Sequence, residues 1–245
     1  MNKESTIIHL PETKSTNLSL RSLSNAGNLP NKSVLWADYQ TKGRGQAGNS
    51  WESEPGMNLL CSILFYPEHL PAGQLFAVAE PAALSVKHTL DNYVADISIK
   101  WPNDIYWKDK KISGILIEND LTGNVIARSI IGIGINLNQS EFKSDAPNPV
   151  SLSMITGQTH DRKELLDQLQ AEFDRLIQEL NDKGAECLHQ RYCAALYRRE
   201  GFHLYRDATG CFEARIHAID LSGRLTLERK DGRMSCYAFK EVACL

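Results

Sequence analysis

Gly43, Gly45 and Gly48 spell G-x-G-x-x-G, the spacing of a dinucleotide-binding turn, inside "TKGRGQAGNSW" at residues 41–51. That fingerprint specifies a fold only if a helix opens within the glycines, so that its N-terminus meets the pyrophosphate. Here Ser33–Tyr39 reads as a buried strand, Trp51–Gly56 is turn-like, and "MNLLCSILFY" (57–66) is a second β-prone run behind Pro55 and Gly56. The order strand, loop, strand argues against a doubly wound nucleotide domain. A kinase also uses a glycine loop between strands, but no V-A-I-K, H-R-D or D-F-G element follows. The loop is then either a tight hairpin connection or a backbone free to wrap an anion, since without Cβ atoms N–H groups can converge. Arg44 adds an always-charged fork suited to carboxylate or phosphate.

Hydrophobic periodicity orders the rest of the chain. Thr6–Leu10 is β-prone, and Ser15 or Thr16 can cap a helix carrying Leu18, Leu20 and Leu23 until Gly27. Gln74–Asn92 has helical spacing, with Pro81 expected to kink it or mark its start. Ile97–Trp101, Ile105–Trp107, Ile112–Glu118 and Val125–Leu137 read as strands, two or three of them in antiparallel hairpins. Asp161 and Glu164 resemble a capping box ahead of an amphipathic helix through Leu180, and a further helix is expected over Ala185–Tyr197. From Gly201 the period drops to two. "FHLYR", "CFEARIHAID", "GRLTLERK" and "MSCYAF" are short strands broken by glycine turns, as in a small all-β barrel or half-barrel of roughly 45 residues. The expected division is 1–198 and 199–245.

A net charge of −3 with no segregated basic block argues against a nucleic-acid binder. The N-terminus lacks the pattern of a secretory leader, and no apolar run reaches the ~18 residues of a membrane span, so a cytoplasmic location is expected. Six cysteines, none in C-x-x-C, are expected to be reduced, and scattered histidines give no structural metal site.

Four stretches concentrate polar groups where strands or turns are expected. Ser15-Thr16-Asn17 is a helix cap, a holder of a polar ligand, or both. The glycine loop carries Gln40 before it and Arg44 within it. "KWPNDIYWKDKKISGILIE" (100–118) breaks a strand with Pro102 and turns through Asn103 and Asp104, and Gly114 in the strand after Lys111 suggests a close approach to the backbone. Lys100 and Lys111 are either solvated charges or ligand contacts. In "IIGIGINLN" (130–138), alternation puts Ile131, Ile133 and Ile135 on the core side, leaving Gly132 and Gly134 as a bare floor that ends at Asn136.

In this order, "STN", "QTKGRGQ", "KWPND", "KISGILIE" and "IGIGIN" resemble a biotin–protein ligase over residues 13–138, and the later helices and small β domain agree in layout. The resemblance implies an α+β fold: a mixed β-sheet catalytic domain flanked by helices, like class II synthetases and biotin/lipoate ligases, followed by a small SH3-like β-barrel. It implies MgATP-dependent activation of biotin to biotinyl-5′-AMP and transfer to a lysine of a biotin carboxyl carrier protein, by a monomer or homodimer. Ser15, Thr16, Asn17, Gln40, Arg44, Gly45, Gln46 and Lys111 would line the biotin or biotinyl-phosphate site, beside the backbones of Gly114 and Gly132. Lys100, Asn103, Asp104 and Asn136 would lie on the nucleotide side with Arg44. Arg44 and Lys111 would stabilise developing charge, and Asp104 would act as base or amine orienter. A lipoate or octanoate ligase of the related fold is the alternative. Two departures stand out: many relatives are basic where this loop has Gln46, Ala47 and Asn49, and the 14 residues before Ser15 are too few for a helix-turn-helix, which implies the short form without a DNA-binding domain.

Overall fold

The computed structural model describes residues 5–27, 29–68, 70–144 and 148–245; the sequence reading of residues 1–4 and the Ala47 side chain fall outside what is described. Its first sheet has seven strands: β1 (Ile7–Thr13), β2 (Val34–Gln40), β3 (Leu59–Phe65), β4 (Ile97–Lys100), β5 (Asp104–Trp107), β6 (Lys110–Thr122) and β7 (Val125–Ile135). They run in the order β1-β2-β3-β7-β6-β5-β4, and only β1 and β2 pair in parallel. The expected hairpins are therefore one continuous meander from β4 to β7.

Alternation along the central strands decides which face carries what. Cys61, Ile63 and Phe65 of β3 and Ile131, Ile133 and Ile135 of β7 point into the main core. That face is covered by α2 (Phe76–Asp91), α4 (Arg162–Lys183) and α5 (Ala185–Ala194), with Phe65 and Phe173 packed edge to face. Pro81 lies inside a continuous α2 and does not mark its start. The opposite face carries α1 (Thr16–Ala26), whose Leu20 packs on Leu35, Leu64 and Ile130. The start of α1 also covers Ser62, which is fully buried against Thr16 and Asn17. Beyond it, at Gly132 and Gly134, the face lines a cavity.

The expected capping box forms at α4, where Asp161 Oδ1 accepts from the Glu164 N–H at 2.8 Å. A five-residue helix, α3 (Leu152–Thr156), precedes it. No helix of the described residues is long and apolar enough to cross a membrane.

The C-terminal strands β8 (His203–Asp207), β9 (Gly210–Ile219), β10 (Leu225–Arg229), β11 (Met234–Tyr237) and β12 (Val242–Cys244) form an antiparallel sheet in the order β11-β10-β9-β8-β12. It is a small SH3-like unit with a fifth strand the alternation did not reveal, and no ladder joins β11 to β12 to close a barrel. Phe76 on α2 packs against Phe239, and Trp101 Nε1 donates to the Gly223 carbonyl at 2.9 Å, so this unit is docked on the first sheet beside the "KWPND" turn.

Candidate active site

A cavity of about 900 Å³ opens on the α1 face of the first sheet, and all 14 site residues anticipated from the sequence line it. Its floor is the β6–β7 ladder, in which Gly114 pairs with Gly134 and Leu116 with Gly132. The glycines are needed for what lies on them. A Cβ at Gly132 would stand 2.3 Å from Asn17 Oδ1, and one at Gly134 would stand 2.5 Å from the Trp51 ring. The floor is thus not bare, as alternation suggested: Asn17 and Trp51 of this chain lie across it.

The wall at the start of α1 is buried, with Ser15, Thr16 and Asn17 each under 5% exposed. Ser15 holds the N-cap position, yet its side chain makes no capping bond. Gln40 at the end of β2 does that work instead, since its Oε1 accepts from the Thr16 N–H at 2.7 Å and from Thr16 Oγ1 at 3.1 Å. The fully buried Ser62 hydroxyl lies 2.6 Å from Asn17 Oδ1 and 2.8 Å from Thr16 Oγ1, and its single proton serves one of them at a time. Asn17 Nδ2 then points along the floor to the Leu116 carbonyl and to Glu118 Oε2.

The glycine loop is a closed hairpin and not an open anion nest. Gly45 N–H donates to the Asn49 carbonyl at 2.7 Å, Trp51 N–H to the Gly43 carbonyl at 3.0 Å, and Arg44 bridges Ser50. Gln46 opens its single 3-10 turn. A Cβ at Gly43 would meet the Trp51 carbonyl oxygen at 2.4 Å, so this glycine lets the hairpin close. Closure lays the Trp51 indole on Gly134 and Gly114 and brings Arg44 Nη2 to 2.8 Å from Glu118 Oε2.

Lys111 reaches the floor through a register shift. Asp104 pairs with Gly114 and Ile105 with Ser113, but Tyr106 pairs with Lys111, so Ile112 is an extra residue in β6. A strict alternation would place Lys111 and Gly114 on opposite faces, and the bulge re-aims one of them. Lys111 Cε would lie 3.4 Å from a Cβ at Gly114, and its Nζ lies 2.7 Å from Asp104 Oδ1. The Lys111 backbone is fixed by bonds to Asn148 and Val150.

At the other end, the Trp101–Pro102 peptide is cis. Asn103 Nδ2 donates to the Ile115 carbonyl, and the Ile115 N–H returns a bond to the Asn103 carbonyl. Lys100 Nζ sits over the Tyr106 ring and within 3.3 Å of the Cys244 carbonyl. Burial holds the Lys100 ammonium below its ordinary range and pushes the Tyr106 phenol up to about 12. Asn136, buried, donates to the Val150 carbonyl. Lys240, Val242, Ala243 and Cys244 of the C-terminal unit complete this wall.

Sequence reasoning therefore missed Trp51, Ser62, Glu118 and the C-terminal wall. Trp51 ended the glycine stretch and Glu118 ended "KISGILIE", both visible signals without a role. Ser62 is a lone polar residue in an apolar strand. Nothing in the local pattern marks which tip of the C-terminal sheet faces the cavity.

Residues 10–136 match the profile of the biotin/lipoate A/B protein ligase family. The chain belongs to this family. A biotin–[acetyl-CoA-carboxylase] ligase from Paracoccus denitrificans is 30% identical over 230 residues, 91% of this chain and 95% of the relative. The bifunctional ligase/repressor BirA of Bacillus subtilis (strain 168) is 28% identical over 240 residues, 95% of this chain and 72% of that protein. Among solved structures, the biotin protein ligase from Aquifex aeolicus in complex with biotin and ATP superposes with a TM-score of 0.81 at 26% identity, covering 98% of each chain. The cavity is lined by four cations, Arg44, Lys100, Lys111 and Lys240, and buried Arg44 Nε and Trp51 Nε1 lack a hydrogen-bond partner among the described residues. Donors of this kind suit an anionic ligand.

Proposed function

We propose that this chain is an ATP-dependent biotin–protein ligase that makes biotinyl-5′-AMP and passes biotin to a lysine of a biotin carboxyl carrier protein. The carrying observation is convergence: 14 residues from five separated motifs line one cavity. In the first step a biotin carboxylate oxygen bonds to the α-phosphorus of ATP and pyrophosphate leaves. Bringing a carboxylate to within ~4 Å of a phosphate costs roughly 4 kcal/mol per pair of unit charges at an effective dielectric near 20. Arg44 and Lys111 oppose that repulsion and stabilise the charge moving onto pyrophosphate. Ser15, Thr16, Asn17 and Gln40 present fixed polar groups for the uncharged end of biotin, and Lys100, Asn103 and Asn136 take the nucleotide side.

Among the described residues no group of three or more His, Cys, Asp or Glu is placed to cage a metal ion. Magnesium is commonly held by one or two carboxylates together with substrate phosphates, and here it would arrive on the oxygens of ATP, adding charge neutralisation beside Arg44 and Lys111.

In the second step the carrier amine attacks the acyl carbon, AMP leaves and the amine loses a proton. Asp104, whose Oδ1 is 2.7 Å from Lys111 Nζ, is the carboxylate available to orient that amine or take the proton. Incubation with biotin, MgATP and a carrier domain tests the reading: wild type biotinylates the carrier and releases pyrophosphate, while Lys111→Ala and Arg44→Ala lose at least ~100-fold in adenylate formation. Asp104→Ala is slowed in transfer from preformed biotinyl-AMP. Loading of lipoate or octanoate in preference to biotin would replace this reading with that of the related acyl ligases.

A further inference from the structure

Both cations assigned to the ligand are already paired with carboxylates of this chain, and the two pairs differ in kind. Lys111 and Asp104 are neighbours across one hairpin. Arg44 and Glu118 join elements 74 residues apart. Glu118 lies on β6 two and four positions beyond Leu116 and Gly114, so alternation puts its carboxylate at the rim of the glycine floor. One oxygen, Oε2, accepts from Arg44 Nη2 at 2.8 Å and from Asn17 Nδ2 at 2.9 Å. It links the glycine hairpin to the start of α1 across the edge of the cavity.

The hairpin's backbone bonds close it on itself and do not reach the sheet at Arg44. Its neighbours Gln46 and Asn49 are uncharged, so Arg44 is the loop's one guanidinium. The pair is partly exposed, 35% for Arg44 and 26% for Glu118, which makes it strong enough to bias the loop and weak enough to exchange. Asn17 Nδ2 is a second donor to the same carboxylate, so Glu118 has a partner besides Arg44.

We propose that Glu118 is a placeholder anion: it holds Arg44 at the cavity in the ligand-free protein and yields it to the anionic group of the ligand. The ligand's identity rests on the biotin-ligase reading; the holding of Arg44 does not. Glu118 is a positioning residue, acting through Arg44 and Asn17.

The test uses the full chain and Glu118→Gln, which removes the charge but keeps an oxygen for Asn17. In ligand-free protein, trypsin should cut after Arg44 roughly two- to fivefold faster in the variant, with cleavage in the C-terminal sheet unchanged. Calorimetry with biotin and with its uncharged primary amide supplies the second measurement. The preference for the carboxylate over the amide should rise about two- to fivefold in the variant, because Arg44 no longer has an internal competitor. Any general loosening of the loop weakens both ligands and cancels in that ratio. Equal cutting after Arg44 overturns the holding role, and an unchanged ratio overturns the exchange. A wild-type protein that binds neither compound overturns the biotin reading, while the proteolysis still decides whether Glu118 holds Arg44.

Discussion

At the scale of single residues, the site depends on atoms that are not there. Gly132 and Gly134 give up their side chains so that an amide and an indole can lie flat on the sheet. Gly132→Ala places a carbon 2.3 Å from Asn17 Oδ1, and Asn17 is held by Ser62 and Glu118 and cannot simply rotate away. Displacing it by even part of an ångström should lower kcat/KM for biotin by roughly 10- to 100-fold. The fold should survive, since the core face of β7 is untouched. Gly73→Ala is the matched control: nothing lies within 4 Å of its Cβ position, and activity should stay within about twofold of wild type. Steady-state kinetics of the two variants checks both statements, and equal kinetics would remove the argument from close approach.

At the scale of elements, α2 and α5 are joined by a buried hydrogen bond between Glu80 and His189. Glu80 is 2% exposed and its Oε1 lies 2.6 Å from His189 Nδ1. Burial pushes the Glu80 carboxyl up to about 7, with His189 opposing part of the rise. A carboxyl whose folded pKa exceeds its unfolded value near 4.5 makes the folded state bind more protons between those two values. Its contribution to stability is full below about pH 4.5 and is lost as pH rises through 7. Glu80→Gln should therefore flatten the decline in stability between pH 5 and pH 8, by an amount on the order of 1–3 kcal/mol at the upper end. Denaturant melts of both proteins across that range provide the comparison. Parallel profiles would mean that Glu80 keeps an ordinary carboxylate pKa in the folded chain.

At the scale of the whole molecule, the proposed units 1–198 and 199–245 share a core. One hydrophobic cluster includes Leu59, Phe76 and Tyr192 together with Tyr205, Leu225 and Val242. Phe76 stands at the joint, edge to face with Tyr192 and against Phe239 and Gly223. We expect a single cooperative unfolding transition, with tryptophan fluorescence, which reports only on residues 36–107, coinciding with amide exchange across 203–244. Phe76→Ala should cost about 3–5 kcal/mol and shift both signals together. Two separated transitions would show that the C-terminal sheet is an independent lobe.

Local chemistry is legible in the sequence because it needs particular atoms at short range. Glycines without Cβ atoms, a guanidinium in a loop, Asn-Asp after a proline and apolar residues spaced by two or by three and four announce floors, turns, strands and helices without reference to anything distant. The separate strands and helices, the small β unit and the four polar stretches were readable on those terms, whereas the mixed sheet and the gathering of 14 residues into one site followed from the resemblance to biotin–protein ligases. What needed the folded chain is every relation set by register or by long-range packing. The extra residue at Ile112 turns Lys111 onto the glycine floor, which no count of spacing reveals, because alternation alone sends Lys111 to the other side. Gln40 takes the capping bond expected of Ser15 or Thr16, Trp51 covers the floor, Glu118 meets Arg44 across 74 residues, and β12 walls the Lys100 end of the cavity. These contacts are made between segments whose separation in sequence carries no energy term until the sheet has formed, so tertiary structure alone decided them.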